Sequence, residues 1–318
     1  MSETTGQRIG IIGTGAIGGF YGLMLARAGM DVHFLLRSEY PAVTERGIQL
    51  NSAEHGELLL NPVQAYADVA DMPPCDWLLI GAKATSNADL APLIARAAAP
   101  GAKVVLLQNG MGAEEALRPL LPDSLHLLGG LCFICVHRAG PGIIEHQSQG
   151  MVNLAYHSGP ASAEERQQIV AQGVGFFRGA GVPSTPVVSL EHARWHKLIW
   201  NIPFNGLSVL LNSGTTALMQ QADTRALIEA LMNEVVEGAG ACGHQMPEGL
   251  VPKMMAGTER MGFDYLPSMY HDFVHKRPLE LQAIYGEPLA VAAAAGAELP
   301  RIRALYQCLQ FIDQRNLA

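Results

Sequence analysis

Lys197, Asn201 and Asn205 fall at i, i+4 and i+8 within the segment Glu191 to Asn205, a spacing that puts three side chains on one face of a helix. One ammonium and two amides can bind and polarise a carbonyl or a carboxylate. The lysine brings a charge and a proton, and the amides donate and accept. Around them stand Trp195, Leu198, Ile199, Trp200, Ile202 and Phe204. Burying such a stripe without polar partners is costly, so it is expected to face a cleft or a ligand, a solvated helix face being the alternative. Pro203 lies in the same segment and is expected to free the Ile199 carbonyl and bend the helix there.

A second constellation is Gly13-Thr14-Gly15-Ala16-Ile17-Gly18, directly after the apolar run Ile9 to Ile12 and before a helix-patterned stretch that ends at Gly29. Strand, glycine turn and helix in this order make a dinucleotide-binding fingerprint, a purely structural turn being the alternative. Gly13 is read as making the turn, Gly15 as letting the backbone approach a pyrophosphate, and Gly18 as allowing helix and strand to pack closely. The positive end of the helix then faces the phosphates.

The choice of dinucleotide is read from the next strand, Val32 to Leu36, which is followed by Arg37 and Ser38. A site for NAD carries an acid at this place, whereas an arginine suits the 2′-phosphate of NADP. The reading is therefore NADP(H). A solvated arginine is the alternative, and Glu39, two residues on, could still serve a ribose.

Other polar residues follow strand-like runs, where open parallel sheets bind their ligands. Lys83 follows Trp77 to Ala82, and Asn109 stands in Gln108-Asn-Gly-Met-Gly112. Asn109 suits a nicotinamide ribose or a substrate carboxylate, or it is an Asn-Gly turn residue. Ser268, before a helix-like stretch with Asp272 and Glu280 farther on, reads first as an N-cap. Two histidine pairs, His192 with His196 and His271 with His275, have i, i+4 spacing without the acid or third ligand of a zinc site, and no metal is expected. Cys132 and Cys135 lie in an apolar run and read as packing residues.

These groups need elements to hold them. Strands are expected over 8–12, 32–36, 77–81, 103–107 and 126–131, with further pieces over 142–145 and 151–156. They form a parallel sheet covered on both faces. A helix over 163–179 belongs to the same domain, and Val182 to Pro186 reads as the link to a second one. Thereafter the pattern is helical, over 189–218, 223–242, 268–276, 279–296 and 300–314. The expected organisation is a domain over 1–187 that binds the cofactor and a helical domain over 188–318, with their cleft as the default site.

Bulk properties exclude other classes. The 318 residues carry a net charge of −8, which gives no electrostatic footprint for nucleic acid or an anionic membrane. The N-terminal Met1 to Arg8 is polar, without the apolar core of an export signal, and five cysteines show no framework spacing. A cytoplasmic location is expected.

Taken together, GTGAIGG at 13–19, Lys83, QNGMG at 108–112, K-x3-N-x3-N at 197–205, SM-x2-D at 268–272 and Glu280 resemble the ketopantoate reductase (2-dehydropantoate 2-reductase) family from Ile9 almost to the C-terminus. The resemblance implies an α/β fold, an N-terminal Rossmann-type doubly wound parallel sheet with an all-helical C-terminal domain. It also implies NADPH-dependent reduction of ketopantoate, a 2-oxo acid, to pantoate, on the pantothenate route to coenzyme A. By position it makes Lys197 the general acid and Glu280 its active-site neighbour. Asn109, Asn201, Asn205 and Ser268 become substrate or cofactor contacts, and Lys83 a polar group on the cofactor side. A homodimer is left open. The chain departs from the family pattern at Leu279, where threonine is usual, and at Thr215, where asparagine is usual. The alternatives are a related reductase for another 2-oxo acid, or an NADP(H)-binding sensor without turnover.

Overall fold

The computed structural model describes residues 6–261 and 263–317; Met1 to Thr5, on which part of the N-terminal reading rests, lie outside them. The chain divides into two compact units. The first ends at Gln108 and resumes over Ala113–Leu190, while the second comprises Asn109–Gly112 and continues from Glu191.

The first unit alternates strands and helices: β1 (Arg8–Ile12), α1 (Ala16–Arg27), β2 (Asp31–Leu35), α2 (Tyr40–Arg46), β3 (Ile48–Ser52), β4 (Gly56–Leu60), β5 (Ala65–Tyr66), β6 (Cys75–Ile80), α3 (Asn87–Ala97), β7 (Ala98–Leu106), α4 (Ala113–Leu117), β8 (His126–Gly140), β9 (Ile143–Ser158) and α5 (Ala163–Gly179). The nine strands form one sheet in the order β4-β3-β9-β8-β7-β6-β1-β2-β5. Its centre is parallel, with β1 flanked by β2 and β6 in register. Side chains alternate between the faces as a pleated strand requires: Ile9, Ile11, Trp77, Leu79, Val105 and Leu107 enter one core, while Ile12, Leu78, Ile80, Val104 and Leu106 enter the other. At α5, Ser162 and Glu165 form a reciprocal capping box, which fixes where the helix begins.

The sheet is mixed rather than wholly parallel, because β8 and β9 form a long antiparallel hairpin and β3 pairs antiparallel with β4. The pieces expected at 142–145 and 151–156 are one strand, β9. Strands β3 to β5 have no counterpart among the expected strands; β3 is short and half-polar, and β4 is short and largely exposed at the edge of the sheet. Val182 to Pro186 is not a free link either. Val152 donates to the Pro183 carbonyl at 3.0 Å and Leu154 to the Thr185 carbonyl at 3.1 Å, so the segment lies along β9.

The second unit is helical: α6 (Leu190–Leu210), α7 (Thr215–Gln220), α8 (Ala222–Ala241), α9 (Leu250–Glu259), α10 (Ser268–Val274), a π-helical turn (Gln282–Gly286), α11 (Glu287–Ala294) and α12 (Pro300–Leu317). Trp195, Phe204, Ile228, Ile284, Tyr285 and Ile302 are among its buried core residues. Buried Glu234 on α8 accepts from the backbone N–H groups of Arg301 and Ile302, both at 3.0 Å, and so supplies the anion that the start of α12 favours. The helix expected over 189–218 breaks at Leu211 to Gly214, where Asn212 takes a positive φ of 49° and ends α6 as a C-terminal Asn or Gly does. No helix among the described residues is long and apolar enough to cross a membrane.

Candidate active site

The glycine turn in the first unit has the geometry that its sequence implies. Gly13 takes a φ of +89°, and a Cβ there would lie 2.3 Å from the Ala82 nitrogen. At Gly18 a Cβ would meet the Gly13 carbonyl oxygen at 2.3 Å. Gly15, the N-cap of α1, is the opposite case. Its backbone is extended and a Cβ there would meet nothing within 4 Å, which leaves the side open to a ligand approaching the backbone. The first turn, with Ala16 and Ile17, carries no acidic side chain. The Thr14 hydroxyl oxygen is buried with no hydrogen-bond partner among the described residues, and such an orphan is costly until something binds it. An open cradle, an unsatisfied hydroxyl and a helix N-terminus without acids fit a dinucleotide pyrophosphate.

At the end of β2, Arg37 is exposed, while Glu39 is buried. One Glu39 oxygen pairs with the Arg138 guanidinium and the other accepts from the Gly142 N–H at 3.2 Å. Asp31 stays at the amino end of β2, where a hydrogen bond from Gln64 and the nearby His33 hold its carboxyl below the usual range.

Sequence reasoning missed one device of the first unit. Asn87 and Gln108 are buried and exchange amide hydrogen bonds of 3.1 and 2.7 Å, and Gln108 also donates to the Ala82 carbonyl at 2.9 Å. This pair ties the turns after β6 and β7 together beside Gly13. Lys83, half-buried, precedes a short 3-10 turn at Ala84–Ser86. Only the cluster of two amides behind strand ends could have signalled the pair, and amides are equally common in plain turns.

In the second unit, α6 carries Lys197, Asn201 and Asn205 on one helical face. The Lys197 ammonium donates to Asn109 Oδ1 at 2.6 Å, so two residues 88 positions apart in sequence are brought together. The loop bearing Asn109 is itself fastened. Gly110 has a φ of +86° and a Cβ there would lie 2.4 Å from the Ala283 carbonyl oxygen, which accepts from the Met111 N–H at 2.8 Å. That carbonyl belongs to the π-helical turn, a feature frequent at functional sites. Buried Glu280 lies just before the turn.

The two asparagines differ. Asn205 accepts from the Met269 N–H at 3.4 Å, so it helps to satisfy the start of α10. Asn201 is only 7% exposed, and its side-chain amide makes no hydrogen bond among the described residues. Ser268 is not the N-cap expected of it. It is the first residue of α10, and Pro267, which holds the cap position, offers no side-chain cap of its own. Asp272, farther along α10, is buried in an ion pair with Arg277 at 3.1 Å. Both departures from the family pattern have packing roles. Leu279 is buried, and its N–H donates to Asp313 at 3.1 Å. Thr215 opens α7, and its hydroxyl accepts from the Tyr265 N–H at 3.1 Å. Pro203 does not interrupt α6, and the Tyr285 hydroxyl donates to the Ile202 carbonyl at 2.8 Å.

Comparison with known proteins bears on the whole chain. Residues 9–159 match the family model described as ketopantoate reductase PanE/ApbA, and residues 189–313 match its C-terminal counterpart. A 2-dehydropantoate 2-reductase of Nostoc sp. is 41% identical over 314 residues, which is 98% of this chain and 96% of the relative. The crystal structure of 2-dehydropantoate 2-reductase from Geobacter metallireducens GS-15 superposes with a TM-score of 0.88 at 37% identity, covering 96% of this chain and 99% of that one. That from Methylococcus capsulatus gives 0.84 at 32% identity, with 98% of each chain covered.

Proposed function

The chain belongs to the ketopantoate reductase family, and from that premise we propose that it reduces 2-dehydropantoate to pantoate with NADPH as the electron donor. The observation that carries this reading is the 2.6 Å bond between Lys197 and Asn109. It holds an ammonium on a helical face that also presents a buried amide, that of Asn201, with no hydrogen-bond partner among the described residues.

Reduction of a 2-oxo acid forms a C–H bond at the carbonyl carbon, breaks the C=O π bond and puts charge on the oxygen. The reduced nicotinamide supplies the hydride. Lys197 stabilises the developing alkoxide and then protonates it, two tasks that one positioned ammonium can perform. Asn109 takes one of its three donors and so restricts where the others point. Asn201 binds the substrate carboxylate or carbonyl, and Glu280 is the acid that balances charge around the lysine. Gly13 to Gly18, with the Thr14 hydroxyl, bind the pyrophosphate, Arg37 the 2′-phosphate, and Lys83 is a polar group on the cofactor side. In this reading the first unit is the cofactor domain and the second the catalytic one. The enzyme acts in the cytoplasm, where its five free cysteines remain reduced. A homodimer is the assembly to test by light scattering.

The deciding experiment is NADPH oxidation on mixing with ketopantoate and a panel of other branched 2-oxo acids. Turnover strongest with ketopantoate is expected. Preference for another member would move the substrate, and binding of NADPH without turnover on any would leave a sensor.

A further inference from the structure

In NAD sites an acid near the end of the second strand accepts from the adenosine 2′-hydroxyl, and the same acid repels a 2′-phosphate. This chain possesses such an acid. Glu39 follows Arg37 by two residues, at the N-cap of α2. Yet it is only 7% exposed, and both carboxylate oxygens are taken. Arg138 and Gly142, which hold them, flank the tip of the β8–β9 hairpin. Arg37 is exposed; its carbonyl accepts from the Tyr40 N–H at 3.1 Å, but its guanidinium makes no hydrogen bond or ion pair among the described residues.

We propose that Arg138 is a positioning residue for cofactor choice: it holds the Glu39 carboxylate at the hairpin tip and so withdraws from the adenosine ribose the acid that would favour NADH. The inference rests on the NADPH reading given above. Its logic is charge placement. A carboxylate bound by a guanidinium is neutralised and fixed in direction. Released, it would stand two residues from the arginine meant for the phosphate. It could pair with that arginine or accept from a 2′-hydroxyl, and either outcome penalises NADP. A merely structural ion pair predicts something different, namely a loss of stability that treats both cofactors alike.

The test is the dissociation constant of NADP+ and of NAD+, measured by titration calorimetry on the full chain, with kcat and KM for both reduced cofactors alongside. For Arg138→Leu the NADP+ constant is expected to rise about tenfold or more, with NAD+ binding unchanged or tighter. Arg138→Lys, which keeps the charge, should stay near the unmutated values. The double variant Arg138→Leu/Glu39→Gln should regain NADP+ binding, because no carboxylate is left to release. Should the leucine variant not fold, Arg138→Gln carries the same comparison, with at least a roughly threefold rise expected. A preference for NADP+ that survives the loss of Arg138, or a double variant no better than the single one, overturns the inference and leaves the NADPH reading standing. Equal constants in the unmutated protein overturn that reading, and the inference falls with it.

Discussion

Lys197 Nζ and Asn109 Oδ1 are 2.6 Å apart, a lysine on α6 meeting the residue that follows the polar end of β7. The bond makes the ammonium a fixed donor. Lys197→Ala should therefore lower kcat for ketopantoate by about a hundredfold to ten-thousandfold, the usual worth of a general acid, while NADPH affinity changes little. A rate within about threefold of the unmutated enzyme would exclude the assignment.

The loop that carries Asn109 can be disturbed without touching either partner. Gly110→Ala places a methyl 2.4 Å from the Ala283 carbonyl oxygen and asks alanine to adopt a φ of +86°. Strain of this kind costs about 1 to 3 kcal/mol. A lower melting temperature and a reduced kcat are expected together, because Asn109 shifts with the loop. Unchanged kinetics would detach the loop from catalysis.

Gly15 and Gly18 separate binding from folding. A Cβ at Gly15 meets nothing within 4 Å, whereas one at Gly18 meets the Gly13 carbonyl at 2.3 Å. Gly15→Ala should fold normally yet bind NADPH about tenfold more weakly or worse, since the methyl occupies room needed by the pyrophosphate. Gly18→Ala should lose thermal stability. Calorimetric melts and cofactor titrations on both variants distinguish the two roles, and normal cofactor affinity in Gly15→Ala would argue against the cradle.

Asn201→Ala removes a buried amide that has no partner of its own among the described residues. Stability should hold or improve, KM for the oxo acid should rise, and NADPH binding should remain. Lost stability with unaltered KM would make the residue a packing element.

Protons also couple to stability. Burial pushes His126, His146 and His196 below the ordinary imidazole value of 6.5, so each is neutral when folded and takes up a proton more readily when unfolded. Their contribution is lost as pH falls through 6.5 towards the lowered values. His157 runs the other way, because a hydrogen bond to Glu115 raises its pKa. Its stabilisation is full below 6.5 and fades as pH rises through the raised value. Against the opposite contribution of His157, the buried imidazoles are expected to lower the melting temperature as pH falls from about 7.5 to 5.5. His146 is 2% exposed and bonded to Ser52 and the Gln149 carbonyl. His146→Gln should melt lower at about pH 7.5 but with a shallower acid slope, by at most about 1.4 kcal/mol per pH unit. Identical slopes would show that His146 does not set it.

The sequence made the polar stripe and the glycine turn legible because their meaning is local: a fourfold spacing on a helix, and three glycines from the end of a strand into the first turn of a helix. The bond from Lys197 to Asn109 was not legible, although both residues stood out separately, since pattern does not reveal which distant loops meet. The Ser268 cap failed on a neighbour. Pro267 fixes its own φ and takes the cap position, so the serine falls inside the helix. The Asn87–Gln108 pair and the pairing of Glu39 with Arg138 were hidden for the same reason as the lysine's partner: buried polar groups find their complements in three dimensions. The π-helical turn left no periodic trace, because five residues of wider winding merge into the helical pattern on either side.

The second unit takes four residues, Asn109–Gly112, from the middle of the first. No single cut of the backbone can therefore yield it whole. A fragment starting at Glu191 would keep the α6 lysine but lack the side chain that receives its proton bond, and the Ala283 carbonyl would lose the Met111 amide. Grafting the helical half onto another nucleotide-binding scaffold would have to bring this tetrapeptide along, inserted between a foreign strand and helix. Recombination at a single crossover respects the geometry only when the chain is exchanged as an undivided piece.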